Sequence, residues 1–262
     1  MTSQPITSVD GIKGFYDDPN VVDSYLEKRT AQPLSSVLHQ LEVAFITQVI
    51  ESRSVAQLLD LAPGPARLSA ELKPPPVAVA MDFSPKMLSE ARRRTVALGK
   101  KWHLVQGDGY KLPFAGESFD LVYSLRFIRR FDSQRRNRLY SEIRRVLRPG
   151  GAFIMDAQNR AVALPYRTAR GLDKYPVYDE LYLRHELVRE LEENGFEVVR
   201  LEGMMRRFAL QSRLNRLRHL RLSAPARFLI RLLEYANDAN PSTWMVLCQK
   251  KPAAKPKSLK NS

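Results

Sequence analysis

Apolar positions along this chain follow two periods. From Pro19 to Arg53 they recur at helical spacing, with Val21, Val22, Tyr25 and Leu26 on one stripe and Val37, Leu41, Ala44, Phe45, Val49 and Ile50 on another. Residues 1–14 look like a loose polar lead. Further on, short apolar runs predict strands near 56–61, 77–82, 102–106, 119–124, 151–156, 196–202 and 243–249. Between them lie amphipathic stretches with start and stop signals. Ser84 is placed to cap a helix whose first residue is Pro85. A helix from Ser133 to Leu147 stops at Arg148-Pro-Gly-Gly, and one from about Arg184 to Asn194 ends at Gly195. Strands alternating with helices predict an α/β fold.

The segment from Leu58 to Arg67 carries the first chemistry. An apolar run ends in Asp60, a tight loop forms around Gly64, and a helix-like segment spans Arg67 to Leu72. A strand, a loop and a helix N-terminus bring backbone N–H groups close to a ligand. About 20 residues after Asp60 a second apolar run, Val77-Ala-Val-Ala-Met, ends in Asp82. A carboxylate there can accept both hydroxyls of a ribose, and burying it without such partners is costly. The pair of strand-terminal acids with a glycine loop between them points to an adenosine-containing ligand. Phe83 is placed to pack on the adenine and Met87 to line that pocket, with plain core packing the competing reading for both.

Five segments in order resemble the class I S-adenosylmethionine-dependent methyltransferases: Leu59-Asp-Leu-Ala-Pro-Gly64, Met81-Asp-Phe-Ser-Pro-Lys-Met-Leu88, Gln106-Gly-Asp-Gly109 with Leu112-Pro-Phe114, Ser118-Phe-Asp-Leu-Val122, and Arg145-Val-Leu-Arg-Pro-Gly-Gly151. The resemblance runs from about Val55 to Phe196 and returns at the final strand. It implies a Rossmann-like sheet with helices on both faces and a helical cap, and S-adenosylmethionine as cofactor. It also implies that Gly64 and Ala62 approach the cofactor's methionine portion, that Asp60 orients the loop or meets the ammonium, and that Asp108 with Gly109 accepts the adenine amino group. Ser124 and Leu125 fall where the family's backbone borders the methionine portion. Tyr16, Tyr25 and Arg29 lie in a segment that folds over the cofactor in similar enzymes, where Arg29 either meets its carboxylate or stays an exposed helix arginine. Ala62 and Ala66 stand where the family usually has glycine. A methyl group tolerates only negative φ cheaply, so the loop is expected to take a somewhat different course, stiffened by Pro63 and Pro65.

The domain layout expected is an N-terminal helical segment or cap over 1–53, a methyltransferase domain over 54–249 with insertions at 159–183 and 205–240, and a basic disordered tail over 250–262. The first insertion holds Tyr166, Tyr175, Tyr178 and Tyr182; the second holds two short basic amphipathic helices split by Ser223-Ala-Pro225. At 262 residues the chain can bury a full core as one domain with an attached cap. Hydrophobic and charged contents of 44% and 27% are ordinary, but the net charge of +14 suggests an anionic partner: a phosphate, nucleic acid or an acidic membrane surface.

The chemistry is narrowed by what is scarce. One cysteine, Cys248, allows no disulfide within the chain, no cysteine zinc site and no pyrimidine adduct mechanism, and fits a cytoplasmic setting. No metal site is expected. No run is long enough to cross a membrane, and the N-terminus lacks a signal peptide's apolar segment. The four histidines, His39, His103, His185 and His219, lie in no base motif, so no catalytic residue is assigned. The family often has histidines after the fourth strand; here Arg129 and Arg130 stand there, a clamp for phosphate or carboxylate or else a solvated helix start. The prolines that many amino-directed nucleic-acid methyltransferases carry after that strand are absent. Ser124-Leu-Arg126 with Leu112-Pro-Phe114 is loosely similar to the quinone-ring C-methyltransferases. The expected function is methyl transfer to a small or lipid-like, anionic acceptor lined by Arg129 and Tyr166, with the protein cytoplasmic and peripheral at a membrane if its arginine-rich segment rests there. The alternatives are an RNA methyltransferase and an inactive cofactor-binding scaffold or partner. Acceptor atom and oligomeric state stay open.

Overall fold

The computed structural model describes residues 5–235 and 240–252, the side chain of Lys28 excepted. The expected disordered tail lies outside these residues beyond 252. Strands β1 (Gln57–Leu61), β2 (Val77–Asp82), β3 (His103–Gln106), β4 (Phe119–Ser124), β5 (Leu147–Asn159), β6 (Leu181–Tyr182), β7 (Phe196–Met204) and β8 (Thr243–Lys250) form a single sheet. Its order is β3-β2-β1-β4-β5-β8-β7, with β6 added beside β5. The strands from β3 to β5 run parallel, while β8 is antiparallel to both β5 and β7. The parallel strands therefore all end at one edge, and the crevice outside those ends is where ligands of such sheets lie.

Apolar runs buried on both faces explain the strands. Leu58, Leu59, Leu121 and Val122 have no exposed surface. On one face α5 (Ser133–Val146) and α7 (Arg184–Glu193) set Leu139, Tyr140, Ile143, Leu187 and Leu191 against Phe153 and Phe196. On the other, α3 (Pro33–Ser52) sets Phe45, Ile46 and Val49 against Leu58, Leu121 and Ile154, and α4 (Pro85–Ala97) brings Ala91 to Ala66 and Ala70. Ser84 caps α4 by accepting from the Met87 N–H at 3.2 Å. Cys248 is buried in β8, and burial pushes its thiol up.

Four features depart from the sequence-based expectation. The segment expected as a helix over Arg67–Leu72 is a run of turns. Single-turn bonds close from Ala70 to Ala66 at 3.1 Å and from Leu72 to Leu68 at 3.1 Å. Three prolines at 74–76 leave no N–H to extend it. The polar lead is not loose over its described part, 5–14, residues 1–4 lying outside the described residues: Ser8 caps α1 (Val9–Asp17), and Ile6 pairs with the first insertion through Pro176 and Tyr178. Within the segment read as N-terminal cap, α3 packs flat on the sheet, leaving α1 and α2 (Pro19–Thr30) near the carboxyl ends of the strands. The strand expected over 151–156 starts earlier, because Leu147 already pairs with Phe119 before a bulge. The first insertion holds α6 (Arg160–Arg170) and β6; the second holds α8 (Phe208–Leu214) and α9 (Ser223–Leu232), which lies on α3.

Candidate functional site

The loops leaving β1, β2, β3 and β4 wall a cleft enclosing about 830 Å³ of atom-free space, open solvent at its mouth included. Asp60 does not reach it. Its Oδ2 accepts the Tyr123 hydroxyl at 2.6 Å and the Ser69 hydroxyl, so it anchors the loop from behind. Burial raises the Asp60 carboxyl to about 7 against those two bonds. Ser124 likewise sits behind the cleft, its hydroxyl bonded to the Leu61 carbonyl at 2.8 Å.

The loop itself has a left-handed backbone at Ala62 (φ 64°), Gly64 (φ 57°) and Ala66 (φ 55°). The premise that the two alanines would avoid positive φ is therefore corrected. They adopt the conformation glycine favours, at a steric cost of roughly 1–2 kcal/mol each. What holds them is visible. The Ala62 N–H donates to the Met81 carbonyl at 2.8 Å, the Gly64 N–H donates to Asp82 Oδ2 at 2.9 Å, and Ala66 is fully buried against Ala70 and Ala91.

Asp82 lines the cleft. Its Oδ1 accepts the Ser84 N–H at 3.0 Å, and burial pushes its carboxyl up against the N–H bonds of Ser84, Gly64 and Phe83. Two carboxylate oxygens offer about four lone-pair sites, so beside those three N–H groups acceptor capacity remains for a ribose hydroxyl. Phe83 is 44% exposed at the rim, with the Lys13 ammonium 3.9 Å from its ring centroid, and Met87 closes the floor. Asp108 accepts from Lys13 Nζ and from the Tyr110 N–H, both at 2.9 Å. Gly109 and Leu125 complete the wall, and Tyr16 and Tyr25 close it from α1 and α2. A strand-end acid with spare acceptor capacity, an apolar slot and a left-handed loop together fit a nucleoside with an amino-acid tail.

Two further cavities share Arg29, Arg129, Gln158, Arg167 and Tyr175, one meeting the first cleft at Tyr16, Tyr25 and Arg130 and the other at Arg126, and together they make a second chamber. Its cationic lining is Arg29, Arg126, Arg129, Arg130, Arg167 and Lys174, against the three carboxylates Glu42, Asp156 and Asp179. Arg129 is not a free clamp. It is buried, donates from Nε to Asp156 at 3.2 Å and pairs with Asp179, which also takes Arg130 at 3.6 Å and Arg167. Burial would raise the Asp179 carboxyl, but Arg129, Arg130 and Arg167 hold it at about 2. Glu42, fully buried on α3, accepts Arg67 at 2.6 Å and Arg126 at 3.1 Å; burial would raise it too, and Arg126 and Arg67 hold it at about 2.

Arg29 is different. Among the described residues it has no carboxylate partner, only the Tyr25 ring 5.4 Å away. Burial and then repulsion by Arg126 lower its guanidinium to about 10, so it stays charged at neutral pH. Burial would raise the Tyr25 phenol, but Arg29 and the neighbouring arginines carry it below its usual value. Tyr166 stands on the chamber's far wall, edge-on to Phe208 at 4.8 Å, with Leu34, Leu38 and Met205 giving that side an apolar lining. No histidine lines either chamber among the described residues; His39 is spent on Glu71 and Arg67. No group of metal-ligating side chains occurs among the described residues either. Sequence reasoning missed Glu42, Arg126, Asp156 and Asp179. Only Glu42 left a signal, a lone acid inside an apolar helical stretch.

A methyltransferase-domain family profile matches residues 59–155, the span holding the first cleft's loops. Over 156 residues the chain is 34% identical to a malonyl-[acyl-carrier protein] O-methyltransferase of Methylococcus capsulatus, covering 56% of this chain and 54% of that protein. It is 31% identical over 175 residues to a demethylmenaquinone methyltransferase of Corynebacterium glutamicum, covering 64% of this chain and 68% of that protein. The chain thus spans about half the length of the Methylococcus relative. Among solved structures, the magnesium protoporphyrin IX methyltransferase of Synechocystis with bound SAH superposes over 93% of this chain and 100% of its own with a TM-score of 0.64. At 12% identity that likeness concerns the fold.

Proposed function

The chain belongs to the class I S-adenosylmethionine-dependent methyltransferases, with S-adenosylmethionine as its methyl donor, and we propose that its acceptor is a small or lipid-like molecule bearing an anionic group. The observation carrying this reading is Arg29, a charged guanidinium without a carboxylate partner among the described residues, in a chamber where cations outnumber carboxylates. An anion entering there gains a charge-assisted bond and relieves the repulsion between Arg29 and Arg126. The apolar side, with Leu34, Leu38, Met205 and Phe208, suits a hydrocarbon portion.

The cofactor, when bound, supplies an activated methyl group. In our reading Asp82 holds its ribose, Phe83 and Met87 flank the adenine, and Asp108 with Gly109 meets the adenine amino group. Ala62, Gly64 and Leu125 border the amino-acid tail, with Asp60 and Ser124 fixing the loops behind. Positioning then supplies much of the rate. Every carboxylate of the second chamber is already paired with arginine, so none is free to take a proton. That favours a nucleophile which has no proton to lose, namely a carboxylate, and so a methyl ester product. The Methylococcus relative bears an O-methyltransferase name. Tyr25 supports a second reading: a phenol whose ionisation arginines favour is suited to deprotonating a phenolic or carbon acceptor.

One experiment separates the two. The protein is given methyl-labelled cofactor and carboxylate-bearing acyl acceptors, and the labelled product is treated with mild alkali. Label released as methanol supports ester formation. Alkali-stable label on a phenolic or ring acceptor supports the Tyr25 reading, and no label on any anionic acceptor overturns both. The RNA alternative rested on charge alone, and the scaffold alternative on the loop alanines and the missing base. The left-handed φ that Ala62 and Ala66 adopt weighs against the first of the scaffold's two supports.

A further inference from the structure

We infer that the outward face of α9, with the turn leading into it, docks on an anionic lipid bilayer. The helix is apolar on two opposite sides. Ala226 and Ile230 are fully buried, Ile230 packing with Val37 and Met205 on α3. Half a turn round the helix, at about 100° per residue, Phe228 and Leu232 are 69% and 55% exposed. Tyr235 just beyond the helix and Leu220 and Leu222 just before it are exposed as well. A face this apolar is not needed for packing, and contiguous exposed patches mark interaction sites.

Its charge selects the occupant. Residues 205–235 hold eight arginines and one acid, Glu234. Glu234 is turned inward, accepting the Met205 N–H at 3.0 Å, the Arg206 N–H at 3.2 Å and Gln211. Arg221, Arg227 and Arg231 are exposed beside the apolar stripe. A second copy seated symmetrically on this face would set arginines against arginines. RNA would meet the arginines but leave Leu232 in water. An anionic bilayer accommodates both, the aliphatic stripe in the acyl boundary and the arginines at the headgroups. Met205 and Phe208, from the same insertion, line the second chamber, so the docking face and the acceptor chamber are built on one segment. An acceptor held in the membrane would then be delivered beside the chamber.

The test is co-sedimentation of the full chain with phosphatidylcholine vesicles, with and without phosphatidylglycerol. Binding should require phosphatidylglycerol and weaken as salt rises. Arg227→Gln and Arg231→Gln should each weaken it roughly fivefold, and Phe228→Ser with Leu232→Ser should abolish it. All three variants should keep wild-type circular dichroism, cofactor affinity and turnover on a water-soluble acceptor. That last readout separates failure here from failure of the acceptor reading, which these substitutions do not touch. The inference is overturned if the wild type stays in the supernatant with anionic vesicles at low salt, if binding survives undiminished in all three variants, if structured RNA is bound in place of vesicles, or if the face instead forms a concentration-dependent dimer that Phe228→Ser dissociates.

Discussion

The Gly64 N–H donates to Asp82 Oδ2 at 2.9 Å, so the acid ending β2 holds the loop that leaves β1. One carboxylate thus ties two walls of the cleft together, and in the proposed binding mode its remaining acceptor capacity goes to the ribose. Asp82→Ala removes both roles. Loss of a charge-assisted hydrogen bond costs roughly 1.5–3 kcal/mol, so cofactor affinity should fall about ten- to a hundredfold in calorimetry. Equal binding by the variant would remove Asp82 from the ribose site.

Arg29 makes the opposite prediction for the acceptor. It lines the second chamber and not the first. Arg29→Ala should therefore leave cofactor affinity within about twofold while raising the acceptor KM roughly tenfold or more, the worth of one bond to a charged group. Arg29→Lys keeps the charge but loses the planar fork and should recover only part. A variant that loses cofactor affinity while keeping its acceptor KM would assign Arg29 to the cofactor's carboxylate.

Much of this fold was legible because its signals are local. Apolar runs ending in Asp60 and Asp82, the Ser84-Pro85 start and the glycine at 195 each depend on a few adjacent residues. The ion-pair floor of the second chamber was not legible. Arg129 reads as a free cation until the chain brings Asp156 and Asp179, 27 and 50 residues away, onto its guanidinium. The helix expected over Arg67–Leu72 stays a run of turns, and the three prolines that follow leave no N–H to extend it. Ala62 and Ala66 failed for a non-local reason: backbone bonds and buried neighbours impose a left-handed φ that alanine alone avoids.

Those two alanines should answer differently to glycine. At Ala62, partly exposed, glycine relieves roughly 1–2 kcal/mol of left-handed strain and gives back roughly 0.5–1 kcal/mol of chain entropy. Ala62→Gly should therefore raise stability slightly, by about 0.5–1 kcal/mol in denaturant unfolding. At Ala66 the methyl is fully buried against Ala70 and Ala91, and deleting it leaves a methyl-sized void worth about 1 kcal/mol. Ala66→Gly should be neutral or destabilising. Equal gains at both sites would mean that the Ala66 methyl contributes no packing.

Asp60 sets the last expectation, on pH. Its carboxyl is raised from the usual 3.8 to about 7 in the folded protein, first by burial. The folded state therefore keeps this proton where the unfolded chain has lost it. The stability this group contributes is full below about 4 and is lost as pH rises to about 7, by about 1.4 kcal/mol for each pH step between those two values. Glu42 and Asp179, held at about 2 by their arginines, act in the opposite sense. Their stabilisation is present above about 4.5 and is lost as pH falls toward 2. Replacing Asp60 by asparagine removes only the first contribution. Measured by denaturant unfolding between about pH 4 and 7, Asp60→Asn should gain on the wild type steadily as pH rises, by a few kcal/mol in total. The acid limb below that window should be common to both proteins, because Glu42 and Asp179 are intact in each. Parallel curves from pH 4 to 7 would mean that Asp60 stays ionised behind the loop, with Ser69 and Tyr123 outweighing its burial.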